Sequence, residues 1–144
     1  MKKIIIAIIS AMIMIPTMDA QIVVKKKDSV PTKVATISMQ WYDLYKHDDI
    51  YLLSLKSTNQ FDNHFWLRLG NKEEAVESLN ALIGMCESLA KVEVVEISNG
   101  ENKTYRVRKY QKGISFHQKE PGMAGFTYIY KMYLTKTLNI IMEQ

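Results

Sequence analysis

The stretch "NKEEAVESLNALIGMCESLAK" (residues 71–91) repeats its apolar positions at helical spacing, and strand-like segments stand on both sides of it. A chain ordered in this way has to pack a helix against a sheet. The spacing predicts a helix over about residues 72–90. Asn71 is its expected N-cap with Glu74 at N3, a pairing in which each side chain satisfies an orphan backbone N–H of the first turn. Ala75, Val76, Leu79, Leu82, Cys86 and Leu89 fall on one half of the helical wheel with Ile83 and Met85. Glu73, Glu74, Glu77 and Glu87 fall on the other, so the first half is the expected core face.

Cys86 lies inside that apolar half, where its expected role is a small buried hydrophobe. No His or basic residue near it in the sequence would lower its pKa for nucleophilic work. It is also the only cysteine, so no internal disulfide can form.

Around the helix the period changes to two. "HFWLRLG" sets Phe65, Leu67 and Leu69 against His64, Trp66 and Arg68, and "KTYRVRKYQK" sets Tyr105 and Val107 against Arg106, Arg108 and Tyr110. "KVATISM", "DIYLLSLKS", "VEVVEIS" and "ISFHQ" also read as strands. The aromatic segment "WYDLYKHDD" reads as a linker ending in an Asp48–Asp49 turn, and Asn99–Gly100 as a hairpin turn. The tail from Phe126 carries both periods and reads as a strand to about Tyr130, with residues 131–142 open between helix and strand. No internal repeat stands out. The expected fold is α+β: a mainly antiparallel sheet of about five to seven strands, the long helix packed on one face between its third and fourth strands, and a short C-terminal helix.

The chain opens with a basic end, an apolar run over residues 4–15 and a breaker with small residues at 16–20, the order of a secretory signal peptide. That run is shorter than the ~20 apolar residues a membrane-spanning helix needs. Cleavage after Ala20 is expected, with no stable membrane anchor left and a periplasmic or extracellular location of bacterial type. Residues 21–32, with Lys25, Lys26 and Lys27, form a polar arm. Residues 33–144 then make one globular domain.

The formal charge of +4 falls to +3 once Lys2, Lys3 and Asp19 leave with the leader, too little to mark a nucleic-acid binder, and export removes that partner. Scattered His47, His64 and His117 match no metal-ligand spacing, so neither a metal nor another cofactor is expected. His47, Asp48 and Asp49 on a turn point apart, and Asp62, Asn63 and His64 lack the context of a catalytic triad. The carboxylate pairs Glu73 with Glu77 and Glu93 with Glu96 read as a charged surface rather than hydrolase acids. Trp41, Tyr42, Tyr45 and Tyr51 have the composition of a sugar-binding strip, and equally of core and strand pairs.

If the strands of Trp66 and Arg106 share a sheet, the face away from the helix carries His64, Trp66, Arg68, Arg106, Arg108 and Tyr110. Arg offers bidentate hydrogen bonds to carboxylate or phosphate, and Trp and Tyr offer rigid contact area. A sheet's open face commonly carries such residues in any case. The reading is an exported, non-catalytic binding module for a protein or an anionic or glycan envelope component. The alternatives are a periplasmic inhibitor or immunity-type protein, and a small envelope hydrolase that would need His64 or His117 to converge with Glu93, Glu96 or Glu120.

Overall fold

The computed structural model describes residues 30–58, 64–99, 104–118 and 126–144. The expected leader, residues 21–29 of the arm, the turn residues Asp62, Asn63 and Gly100, and Glu120 lie outside them.

Two four-stranded antiparallel sheets take the place of the single sheet expected. β1 (Thr32–Ser38), β2 (Tyr42–His47), β3 (Ile50–Lys56) and β4 (His64–Gly70) form the first, in that order, followed by α1 (Lys72–Ser88). β5 (Val94–Ser98), β6 (Thr104–Tyr110), β7 (Gly113–Gln118) and β8 (Phe126–Tyr130) form the second, followed by α2 (Lys131–Glu143). The α+β class stands, and the ambiguous tail is a strand to Tyr130 and then a helix. α1 follows the fourth strand, not the third, because the segment read as a linker is itself a strand. Tyr42 and Leu44 point into the core from β2, and Asp48, at φ 52°, closes a two-residue turn into β3.

The same order occurs twice, four strands and then a helix, which the sequence did not reveal. The β6–β7 turn begins with Gln111 at φ 46°, as the β2–β3 turn begins with Asp48. Aligned on these two residues, Tyr42 falls on Tyr105, Leu44 on Val107, Lys46 on Lys109 and Leu53 on Phe116. Little identity survives, but the inward pattern does.

Inward residues of both sheets build one core, including Leu44, Leu53, Phe65, Val107, Phe116 and Ile129. Within it the Phe65 and Tyr105 rings lie 5.7 Å apart and join the sheets. α1 buries Ala75, Leu79, Leu82 and Cys86 against strands of both sheets, and α2 packs on α1 and on β1 and β8. Burial holds the Cys86 thiol above its ordinary value, consistent with a core residue.

α1 starts as its capping box dictates: Asn71 accepts from the Glu74 N–H at 2.9 Å, and Glu74 accepts from the Asn71 N–H at 2.9 Å. Gly70, at φ 95°, turns the chain from β4 into this cap, and a Cβ there would strike the Glu74 side chain.

Strand edges are covered by side chains and, at β8, also by the Thr58 backbone. The Asn99 amide accepts from the Arg68 N–H at 2.8 Å and donates to the Trp66 carbonyl, occupying the free edge of β4 as a peptide would. At the β8 edge, Thr58 N–H donates to the Phe126 carbonyl at 2.9 Å and the Tyr42 hydroxyl donates to the Tyr128 carbonyl at 2.6 Å. Lys136 of α2 reaches the Ile37 carbonyl on β1.

Candidate functional site

Because β4 and β6 belong to different sheets, the six residues singled out in the sequence divide between two outer faces. Trp66 and Arg68 are exposed on the first sheet and Arg106 and Arg108 on the second, with Tyr110 half-buried. His64 begins β4, and its side chain lies outside the described part. The structure therefore does not assemble the single surface that a shared sheet would have made.

On the first sheet, Tyr45 of β2 and Trp66 of β4 approach across β3 with ring centroids 5.2 Å apart. Ser54 on β3, opposite Trp66 and Asp43, is buried although it lies on the outer side. Lys33 reaches the Tyr45 ring and pairs with Asp43 at 3.3 Å. Lys33 and Asp43 thus pair on this face, Arg68 adds a further cation, and His47 and Leu52 lie on it too. Tyr42 and Tyr51 of the supposed sugar strip are core residues, which breaks that strip.

The second sheet's outer face is different in kind. Its register sets three rows across β6, β7 and β8: Arg106–His117–Phe126, Arg108–Ser115–Tyr128 and Tyr110–Gly113–Tyr130. Arginines therefore follow one another along β6 and aromatic rings along β8, with small residues and one His between. Tyr110 leans over β7 to stack on Tyr128, at 4.5 Å and 24°, and His117 lies flat on Phe126 at 5.2 Å and 12°. Trp41, from the β1–β2 turn, extends the cluster to within 5.9 Å of Tyr128, and Lys56 sits over its indole.

β7 can run beneath these rings because it carries almost no side chain there. Gly113 is required, since a Cβ would enter the Ile129–Tyr130 backbone of β8. Ser115 is buried and its hydroxyl lies 3.1 Å from the His117 ring.

Burial, and then the Arg108 guanidinium, hold His117 below the usual histidine range. Burial and the neighbouring Tyr130 and Tyr110 raise the Tyr128 phenol. Glu96 faces Arg106 at 3.8 Å, and Arg108 has no carboxylate partner among the described residues. In register, Glu96 and His117 stand on opposite sides of Arg106, so this pair does not form the acid–base dyad a hydrolase would use. Among the described residues no group of three or more His, Cys, Asp or Glu side chains gathers for a metal, and no helix is long and apolar enough to cross a membrane.

Phe126, Tyr128 and Tyr130 were not singled out by sequence reasoning. Their even-numbered spacing marked a strand without saying which side is inward, and the core takes Thr127 and Ile129. Ile129, an aliphatic residue between tyrosines, was the available signal. No protein-family model, curated protein or solved structure matches this chain.

Proposed function

We propose that the protein is an exported, non-catalytic binding module that engages a protein or an anionic or glycan component of the cell envelope on the outer face of the β5–β8 sheet. The observation that carries this reading is the row pattern of that face, with arginines along β6, rings along β8, no carboxylate in the three rows and Glu96 beside Arg106 on β5. Arg supplies forked donors for carboxylate or phosphate, and the tyrosines supply rigid surface with a polar tip. The signal-like opening of the sequence supports the exported compartment of this reading.

The test is capture from the producer's envelope extract with the full exported chain, in parallel with Arg106→Glu/Arg108→Glu and, separately, Trp66→Ala. The expected result is a species retained by the parent and by Trp66→Ala but lost by the double variant. Retention of the same species by all three would remove the β5–β8 face as the site. Capture of a single enzyme in a one-to-one complex would redirect the reading to an inhibitor.

A further inference from the structure

We infer that the outer face of the β5–β8 sheet takes a linear polysaccharide bearing carboxylates, laid along the strands, with its charged groups on β6 and its sugar rings on β8. This rests on the reading of that face as the binding surface. The two stripes run parallel because they belong to one antiparallel ladder. Side chains two residues apart on a strand recur about every 6.7 Å, and the stripes are separated by two strand spacings, about 9.5 Å. Arg106 and Arg108 on one side, with Phe126, Tyr128 and Tyr130 on the other, therefore repeat in step. A partner that repeats an anionic group and a ring along its own length can meet more than one row at once.

The polar groups left over identify the chemistry. Arg108 is exposed with no carboxylate partner among the described residues, and Arg106 shares only a distant surface pair with Glu96. Such an exposed pair is worth little, so a ligand carboxylate displaces it readily. Tyr130 donates its hydroxyl to Gln111, but the Tyr110 and Tyr128 hydroxyls have no hydrogen-bond partner among the described residues. Phenols and a guanidinium that have no such partner among the described residues suit a ligand rich in hydroxyls and carboxylates.

The stacks take up ring face that single-stranded nucleic acid would use, whereas a glycan can also be held through its hydroxyls and carboxylates. Base stacking uses open aromatic faces, and here Tyr110 covers Tyr128 while His117 covers Phe126. The path also has an end. Beside the β6–β7 turn, Gln111, Lys112, Tyr130, Lys131 and Met132 line an open depression of about 630 Å³, which places Lys112 where a chain passing Tyr130 would go.

The probe is a set of galacturonate oligomers, monomer, trimer and hexamer, titrated into the full exported chain by calorimetry, with neutral maltohexaose and a hexameric oligothymidylate beside them. Affinity is expected to rise at least about tenfold from trimer to hexamer, because the longer chain reaches further rows. Maltohexaose is expected to bind about tenfold or more weakly than the galacturonate hexamer. Arg108→Gln, exposed and outside the core, is expected to weaken the hexamer about tenfold without moving the melting temperature.

Oligothymidylate binding more tightly than the galacturonate hexamer would overturn the polysaccharide assignment in favour of nucleic acid. So would a hexamer that fails to bind or is indifferent to Arg108→Gln. If the hexamer fails while envelope capture still depends on Arg106 and Arg108, only the polysaccharide is lost. If capture is indifferent too, the face itself is wrong.

Discussion

Tyr110 and Tyr128 stack across a strand that separates them, with ring centroids 4.5 Å apart. They can meet only because β7 presents Gly113 and Ser115 beneath them, and the pair covers Ser115 in return. Two chemistries are coupled here. The stack fixes the tyrosines in the positions they would need as a recognition surface, and it also seals the outside of the second sheet. Tyr128→Leu keeps apolar area but loses the ring contact, so it should destabilise the fold by about 1 kcal/mol. Chemical denaturation measures this, and an unchanged midpoint would show that the stack contributes nothing to the sheet.

Gly113→Ala tests the close approach itself. Ala normally outperforms Gly within a strand on entropic grounds. At this position its methyl group enters the Ile129–Tyr130 backbone, so the β7–β8 ladder must shift. The expected loss is about 2 kcal/mol, and proton exchange should quicken first in β8. A variant as stable as the parent would mean that the two strands separate without penalty.

Much of this architecture was legible locally and little of it globally. Asn71, Glu74 and the apolar half of α1 could be read because a capping box and a helical face depend on residues three or four apart. How the two sheets meet depends on contacts such as Thr58 with Phe126 and Asn99 with Trp66, which join residues far apart in sequence. No pattern within β4 or β6 states which sheet either will join. Arg106, Arg108 and Tyr110 were correctly placed on one outward stripe, since alternation fixes that. Trp66 and Arg68 were grouped with them only through the assumption of a shared sheet. The repeat was hidden because it conserves inward pattern and turn conformation rather than identity.

Asn71→Ala removes the side-chain acceptor for the Glu74 N–H, while the backbone N–H of residue 71 can still donate to the Glu74 carboxylate. A loss of about 1 kcal/mol is expected, with Asn71→Ser restoring most of it because Ser also caps well. The pair of variants separates capping from packing: equal destabilisation by Ala and Ser would point to contacts of the Asn side chain other than the cap.

The Asn99 side chain acts as a one-residue strand against β4. Asn99→Ala exposes the Arg68 N–H and the Trp66 carbonyl to solvent, although the Tyr105 hydroxyl still approaches that carbonyl at 3.4 Å. Water can satisfy these groups, so the expected loss of stability is small, about 1 kcal/mol. The larger consequence is an open edge that can pair with another chain. Sedimentation should show concentration-dependent association of Asn99→Ala that the parent lacks. A monomeric variant over the same concentration range would show that the amide does not guard the edge.

His117 gives the second sheet a pH dependence whose sign follows from its surroundings. Burial and the Arg108 guanidinium disfavour the imidazolium in the folded protein, so the folded pKa lies below the unfolded value of about 6.5. Between those two values the unfolded chain binds more protons, and stability must rise with pH. The contribution is complete above the unfolded pKa and is lost as pH falls through the folded one. Denaturation midpoints should therefore drop on going from neutral to mildly acidic solution. His117→Phe, which can keep the stack on Phe126 and cannot titrate, should flatten that drop relative to the parent. Every other ionisable group is common to the two proteins, so the difference between the two curves isolates His117. Arg108→Gln removes one of the two causes named above and should shift the inflection toward the ordinary histidine range. Parallel curves for the parent and His117→Phe would mean that the imidazole is equally easy to protonate folded and unfolded, and that neither burial nor Arg108 acts on it.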